Sequence, residues 1–197
     1  EDLINKKFSE YKIDEKLALS IIFPELIRYS YLRDYMENIS NEIFYVNLGE
    51  HYSNFSVGYL QMKPSFAEKI ESQIIASKNL EEYKNLFLYK NSTSLKDERN
   101  ERLHRLRNFE WQLSYLCVFI DIIHYLHPKV HLESKNDLVK FYANCYNSGI
   151  WDDNNLNTKL EGIKSFPYGD LGGKINTHSY TDFSLLFFNT LYDRLKN

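Results

Sequence analysis

A mainly α-helical domain is what the sequence predicts, and three observations predict it. Glycine and proline, the residues that punctuate loops and sheets, number only 7 and 4 in 197 positions. Apolar residues make up 43% and gather in long stretches such as LSYLCVFIDIIHYL, residues 113–126, too long for one buried strand. Proline and glycine fall beside such stretches, as Pro64, Pro128 and Gly149, where helices begin or stop. With 26% charged residues the composition is that of a folded globule. The length suits one domain with a substantial core, taken as residues 1–197.

The elements follow in order. From Asp14 the run DEKLALSIIFPELIRYSYLRDYMEN keeps Leu17, Ile21, Leu26 and Ile27 near helical spacing, after a charged first turn of Glu15 and Lys16. Pro24 removes the hydrogen bond to Ser20 and should kink or end this helix just before Glu25. Residues 38–54 are mixed and polar, with Gly49 as a break. Pro64 sits at a first helical turn, so 65–77 continues as helix. Residues 80–90 form a short helix, and NSTSLKDERNE, 91–101, is a loop running into charged helix. One long helix is expected over 102–126, stopped by Pro128. A further helix over 136–145 closes at Asn147-Ser148-Gly149, a natural C-cap. Residues 151–180 read as irregular, and 184–195 as a closing helix.

Several function classes drop out early. A net charge of −3 offers no basic footprint for nucleic acid. No apolar run is long enough to cross a membrane, and the first residues, EDLINKKF, lack the profile of a secretory signal. Neither a Gly-rich phosphate loop nor a Ser-His-Asp arrangement is apparent. His124, His127 and His131 are interrupted by Pro128, without an acidic partner at ligand spacing, so no metal and no cofactor is expected. The run KDERNERLHRLR carries both signs and reads as a solvated helix face. Cys117 and Cys145 read as buried thiols, with a disulfide as the alternative if they lie close. Sixteen tyrosines and thirteen phenylalanines suit a core, and flat faces with polar edges also suit sugar rings.

Two features carry chemistry. Glu25 is the only charged residue in LALSIIFPELI. An apolar setting disfavours the charged carboxylate, so such a group holds a proton near neutral pH, as a general acid must. The alternative is a salt bridge to a residue such as Arg28. The second feature is FSVGYLQMKPSFAEKI, residues 55–70, with Gly58, Gln61 and Pro64 at three-residue steps. Glycine allows close backbone approach there, Gln61 offers both a donor and an acceptor, and Pro64 fixes the turn that aims it.

Glu25, GYLQMKPSFA (58–67) and ANCYNSG (143–149) stand in an order that resembles the soluble lytic transglycosylase family of the lysozyme-like superfamily. That family reads Glu, then Gly-Leu-Met-Gln-x-x-Pro-x-Thr-Ala, then Ala-x-x-Tyr-Asn-Ala-Gly. Gly58, Gln61, Pro64 and Ala67 match the second block; Ala143, Tyr146, Asn147 and Gly149 match the third. Asn108 with Tyr115 and Leu116, and Thr177 with Tyr180, echo two further family positions. Leu26, Phe55-Ser56, Phe66 and Gln112 depart from the pattern, as does the long stretch 29–54 between the first two blocks.

The resemblance implies a lysozyme-like helical fold with a groove. It implies cleavage of the β-1,4 bond between N-acetylmuramic acid and N-acetylglucosamine in peptidoglycan strands, by Glu25 alone as acid and then base. Gly58, Tyr59, Gln61, Tyr146, Asn147 and Tyr180 would contact the substrate, with the Tyr146 hydroxyl directed at the carboxyl or the sugar N-acetyl group. It implies an exported, periplasmic location. Attack by the C6 hydroxyl gives an anhydro product; attack by water, helped by Glu50 or Asp34, gives hydrolysis. Two alternatives stand beside it: a lysozyme-like module that binds glycan or protein without catalysis, and an unrelated helical domain with Glu25 in a salt bridge.

Overall fold

The computed structural model describes residues 2–29, 39–90, 92–128, 134–149, 151 and 178–196; among these it is mainly helical, with no β-strand. In chain order, α1 (Asp2–Glu10) and α2 (Glu15–Arg28) precede a π-helical turn, Asn41–Tyr45, that runs into α3 (Val46–Leu48). Then come α4 (Pro64–Ala76), α5 (Glu81–Phe87), α6 (Leu95–Arg107), α7 (Phe109–Leu126) and α8 (Lys135–Ser148). The last described elements are α9 (Tyr180–Leu186), a second π-helical turn (Phe187–Leu191) and α10 (Tyr192–Lys196). The all-α expectation holds at this level.

Local chemistry sets most boundaries. Ser94, Ser134 and Ser179 each accept a backbone N–H three residues on, capping α6, α8 and α9. Pro64 occupies the first turn of α4, and Gly149 ends α8 at φ 65°, its N–H on the Cys145 carbonyl. One expectation is overturned and two are refined. Helix α2 runs through Pro24 to Arg28 instead of ending there, because packing of its buried face outweighs the one lost hydrogen bond. The single helix expected over 102–126 is two, α6 and α7. Asn108 is extended at ψ 122°, and its side chain accepts the Trp111 N–H to cap α7. The polar stretch 38–54 contains the π turn and α3, ended by Gly49 at φ 98°. Residues 152–177, expected irregular, lie outside the described residues.

Contacts divide the chain into two units: Glu1–Lys7 with Tyr29–Ile122, and Phe8–Arg28 with Ile123–Asn197. In the first unit α4 packs on α5 and α6, and α6 also meets α3. Its core gathers Leu60, Ala67, Ile70, Ile74, Leu106 and Phe119, all buried, with each leucine, isoleucine or phenylalanine giving roughly 1.5–3 kcal/mol. In the second unit α2, α8 and α9 pack on one another around Ala18, Ile21, Val139 and Ala143. There Lys16 reaches both carboxylate oxygens of Asp193 at 2.9 Å, and Lys196 pairs with Glu15 at 2.9 Å, tying α10 to α2. Cys117 in the first unit and Cys145 in the second are buried thiols, not joined in a disulfide.

Candidate functional site

Glu25 lies on the last turn of α2 and is only 4% exposed. Arg28, the final residue of that helix, donates from Nη2 to Glu25 Oε2 at 2.6 Å. This is the ion pair the sequence left open as an alternative. Two buried phenols share the neighbourhood: Tyr146 on α8 and Tyr180 on α9. Burial first, and then the Glu25 charge, push both hydroxyls well above the usual tyrosine range, with Arg28 opposing. Tyr180 donates its hydroxyl to the Ile21 carbonyl at 2.9 Å, one turn before Glu25. Asn147 follows Tyr146 on the last turn of α8, where it is exposed. Residues 25, 146 and 180 thus form one buried polar cluster in the second unit.

Gly58, Tyr59 and Gln61 belong to the first unit and build a single tight turn. Val57 and Met62 exchange both backbone hydrogen bonds across it, at 2.9 and 3.2 Å. Gly58 at φ 70° and Gln61 at φ 50° sit in the left-handed region, which a glutamine occupies only when its surroundings insist. Those surroundings include Gln112 of α7, which donates to the Val57 carbonyl at 2.6 Å and accepts from the Leu60 N–H at 3.3 Å. A Cβ on Gly58 would lie 2.4 Å from Gln112 Nε2, so a side chain there must push the buried Gln112 amide aside while holding a φ of 70°. The glycine is required by the glutamine packed upon it. Gln61 spends one donor inside the turn, Nε2 to the Gly58 carbonyl at 2.8 Å. Tyr59 stands at the tip, 53% exposed, its ring 4.8 Å from Tyr29 and 5.7 Å from Phe109.

A second buried carboxylate escaped the sequence reading. Glu71 on α4 receives Arg102 Nε and Nη2 at 2.8 and 2.6 Å, and the hydroxyls of Tyr89 and Tyr115 at 2.5 Å each. Arg102 also donates to Glu68 at 2.9 Å and to the Tyr45 hydroxyl at 2.5 Å. Burial works against the Arg102 charge, but Glu71 more than offsets it and holds the guanidinium above its ordinary value. Arg102 and Arg105 are thus buried, so KDERNERLHRLR is not a uniformly solvated face. The cluster borders a groove of about 600 Å³ that Ile74, Ile75, Leu88 and Arg99 also line. A glutamate three residues from Glu68 on a helix bearing Ala67, Ile70 and Ile74 was the available signal.

His127 Nε2 lies 2.5 Å from the Trp151 carbonyl, and among the described residues no three metal-ligating side chains converge. His131, Asp34 and Thr177 lie outside the described residues, while Glu50 is half-buried in the first unit. Among the described residues no helix is long and apolar enough to cross a membrane. Compared with known proteins, the chain matches no family model, no curated protein and no solved structure.

Proposed function

We propose that this chain is a peptidoglycan-cleaving enzyme of the lytic transglycosylase kind, on a lysozyme-like helical fold, with Glu25 as its single acid and base. One observation carries the reading: Glu25, Tyr146 and Tyr180, taken from three separate blocks of the resemblance, meet in one buried cluster. In the reaction Glu25 gives its proton to the bridging oxygen between N-acetylmuramic acid and N-acetylglucosamine. The substrate's own N-acetyl group supports the positive charge that develops at the sugar carbon, an arrangement outside the two-carboxylate scheme. Glu25, now a carboxylate, takes the proton of the C6 hydroxyl as that oxygen closes on the sugar carbon. The product is a 1,6-anhydro end; water in place of the hydroxyl gives a reducing end. Glycan strands as substrate imply an exported, periplasmic setting.

The test is Glu25→Gln on purified cell wall. The variant should keep the helical circular dichroism of the wild type and release no soluble fragments. Release at the wild-type rate would end the assignment. Mass spectrometry of wild-type products then separates anhydro from reducing ends.

The Glu25–Arg28 ion pair is what an unrelated helical domain would carry; the departures at Leu26 and Phe55 motivate a second reading, a glycan-binding module that has lost catalysis. Retention on insoluble peptidoglycan with no fall in turbidity, for wild type and variant alike, would favour it over the first.

A further inference from the structure

The groove beside the Glu71 cluster lies wholly within the first unit. Two helical stripes wall it, Glu68, Ser72 and Ile75 of α4 and Leu95, Glu98 and Arg99 of α6, each at the spacing that shares one helix face. Its apolar side chains are not hidden. Ile75 is 59% exposed and Leu95 68%, and Leu88 also stands open. Large aliphatic chains gathered round one concavity mark an interaction surface. The charges there fall into two sets. Glu68, Glu71 and Arg102 satisfy one another within the buried cluster. Lys90, Glu98 and Arg99 do not: among the described residues, none of these three side chains forms a hydrogen bond or an ion pair. Lys90 is exposed and served by water, whereas Glu98 and Arg99 are half-buried. Packing fixes Arg99, whose Nη2 lies 2.9 Å from where a Cβ on Gly49 would stand, at the end of α3. A guanidinium held in that way loses little freedom when it meets a carboxylate. A patch of one sign would call for a partner of the other sign. Neighbouring opposite charges, each unspent, instead complement themselves when turned through 180°.

We propose that the α4–α6 face binds a second copy of this chain, in a symmetric dimer with α6 antiparallel to its counterpart. The two-fold axis passes beside the peptide joining Glu98 and Arg99. Glu98 of each copy then meets Arg99 of the other, giving two reciprocal ion pairs. The same rotation carries Leu95, three residues before Glu98, level with position 102 of the second copy, three residues beyond Arg99. Arg102 lines the groove, so each Leu95 covers the groove of the other copy and leaves water in doing so. Two ion pairs and a few aliphatic side chains make a small interface, so the dimer is transient, with a Kd of about 10–100 μM. It does not depend on the glycan reading.

The experiment is sedimentation equilibrium of the full chain over about 2–500 μM, where the average mass should climb from one chain toward two. Glu98→Arg and Arg99→Glu each set like charges against one another twice across the two-fold axis. Each variant alone should therefore raise Kd about tenfold or more. Mixed in equal amounts, the two should associate with each other at least as tightly as wild type, because both contacts in the mixed pair join opposite charges. Mixing cannot repair a folding defect, so this rescue separates the interface from a merely structural role. Leu95→Asp, at an exposed position in the first turn of α6, should also weaken the dimer while leaving the melting temperature unchanged. A wild type that stays monomeric at the highest concentration overturns the proposal. A dimer indifferent to the charge variants uses another face and overturns it as well. So does a mixture no tighter than its separate components.

Discussion

Glu71 in the first unit and Glu25 in the second are both buried, and each faces an arginine with two tyrosines close by. Their arginines come from very different distances along the chain. Glu71 is met by Tyr89, Arg102 and Tyr115, which are 18, 31 and 44 residues away and lie on or beside three other elements. Glu25 takes its arginine locally, Arg28 three residues on in the same helix, while Tyr146 and Tyr180 approach it from α8 and α9. A carboxylate bonded across the fold acts as a tie, because its charge is tolerable only when distant segments arrive together. A pair made within one helical turn exists before the fold does and constrains it little. Two buried acids can thus differ in how far along the chain their arginines lie.

The largest effect should come from cutting the tie. Arg102→Met leaves Glu71 and Glu68 without their cation in a buried setting, at a cost of about 3–5 kcal/mol in urea unfolding. Glu25→Gln, tested in the same way, should lose less, because the cation it leaves behind, Arg28, is partly in water. Equal losses from the two variants would break the comparison.

The next effect concerns the turn at Gly58. Gly58→Ala meets Gln112 Nε2 at 2.4 Å while holding φ at 70°, so strain and overpacking combine to about 2–4 kcal/mol. Gly149→Ala has a similar φ of 65° with nothing within 4 Å of the added carbon, and should lose only about 1 kcal/mol. Thermal melts of the two variants separate the packing contribution from the backbone one. If both fall by the same amount, the Gln112 brace has no energetic role.

These cases also mark what the sequence made legible. Features read from adjacent residues came through: Pro64 opening α4, Gly149 closing α8, and the apolar face of α2. Asn108 was misread because a cap inside a charged run looks like continuing helix until its side chain is seen on the Trp111 N–H. At Pro24 the helix does not end, since the proline's cost is local and the packing that outweighs it is not. Arg102 and Gln112 were beyond reach for the same reason. One looks like any solvated arginine, the other like a departure from a family pattern, until segments 31 and 55 residues away supply Glu71 and the Val57 carbonyl. At the candidate site, Glu25 was marked by its apolar neighbours, and Arg28 was named as its possible partner from spacing alone.

The smallest effect is graded by pH and is shared by the two clusters. Burial raises the phenols of Tyr45, Tyr89 and Tyr115 in the first unit, with carboxylates beside them adding to the rise, and does the same for Tyr146 and Tyr180 in the second. In an unfolded chain these groups release their protons near pH 10, whereas in the folded chain they keep them. Above about pH 10 the folded state therefore binds more protons than the unfolded one, so stability falls as pH rises. Each such tyrosine contributes a slope of about 1.4 kcal/mol per pH unit there, and below that pH its contribution is fully present. Lysines titrate in the same range, so the measurement is a difference: melting temperature from pH 8 to 10.5 in wild type and in Tyr115→Phe. The variant should start lower, having lost the bond to Glu71, and then decline less steeply. Parallel declines would mean that Tyr115 ionises as readily folded as unfolded, and that the Glu71 cluster is open to water rather than the sealed tie its geometry describes.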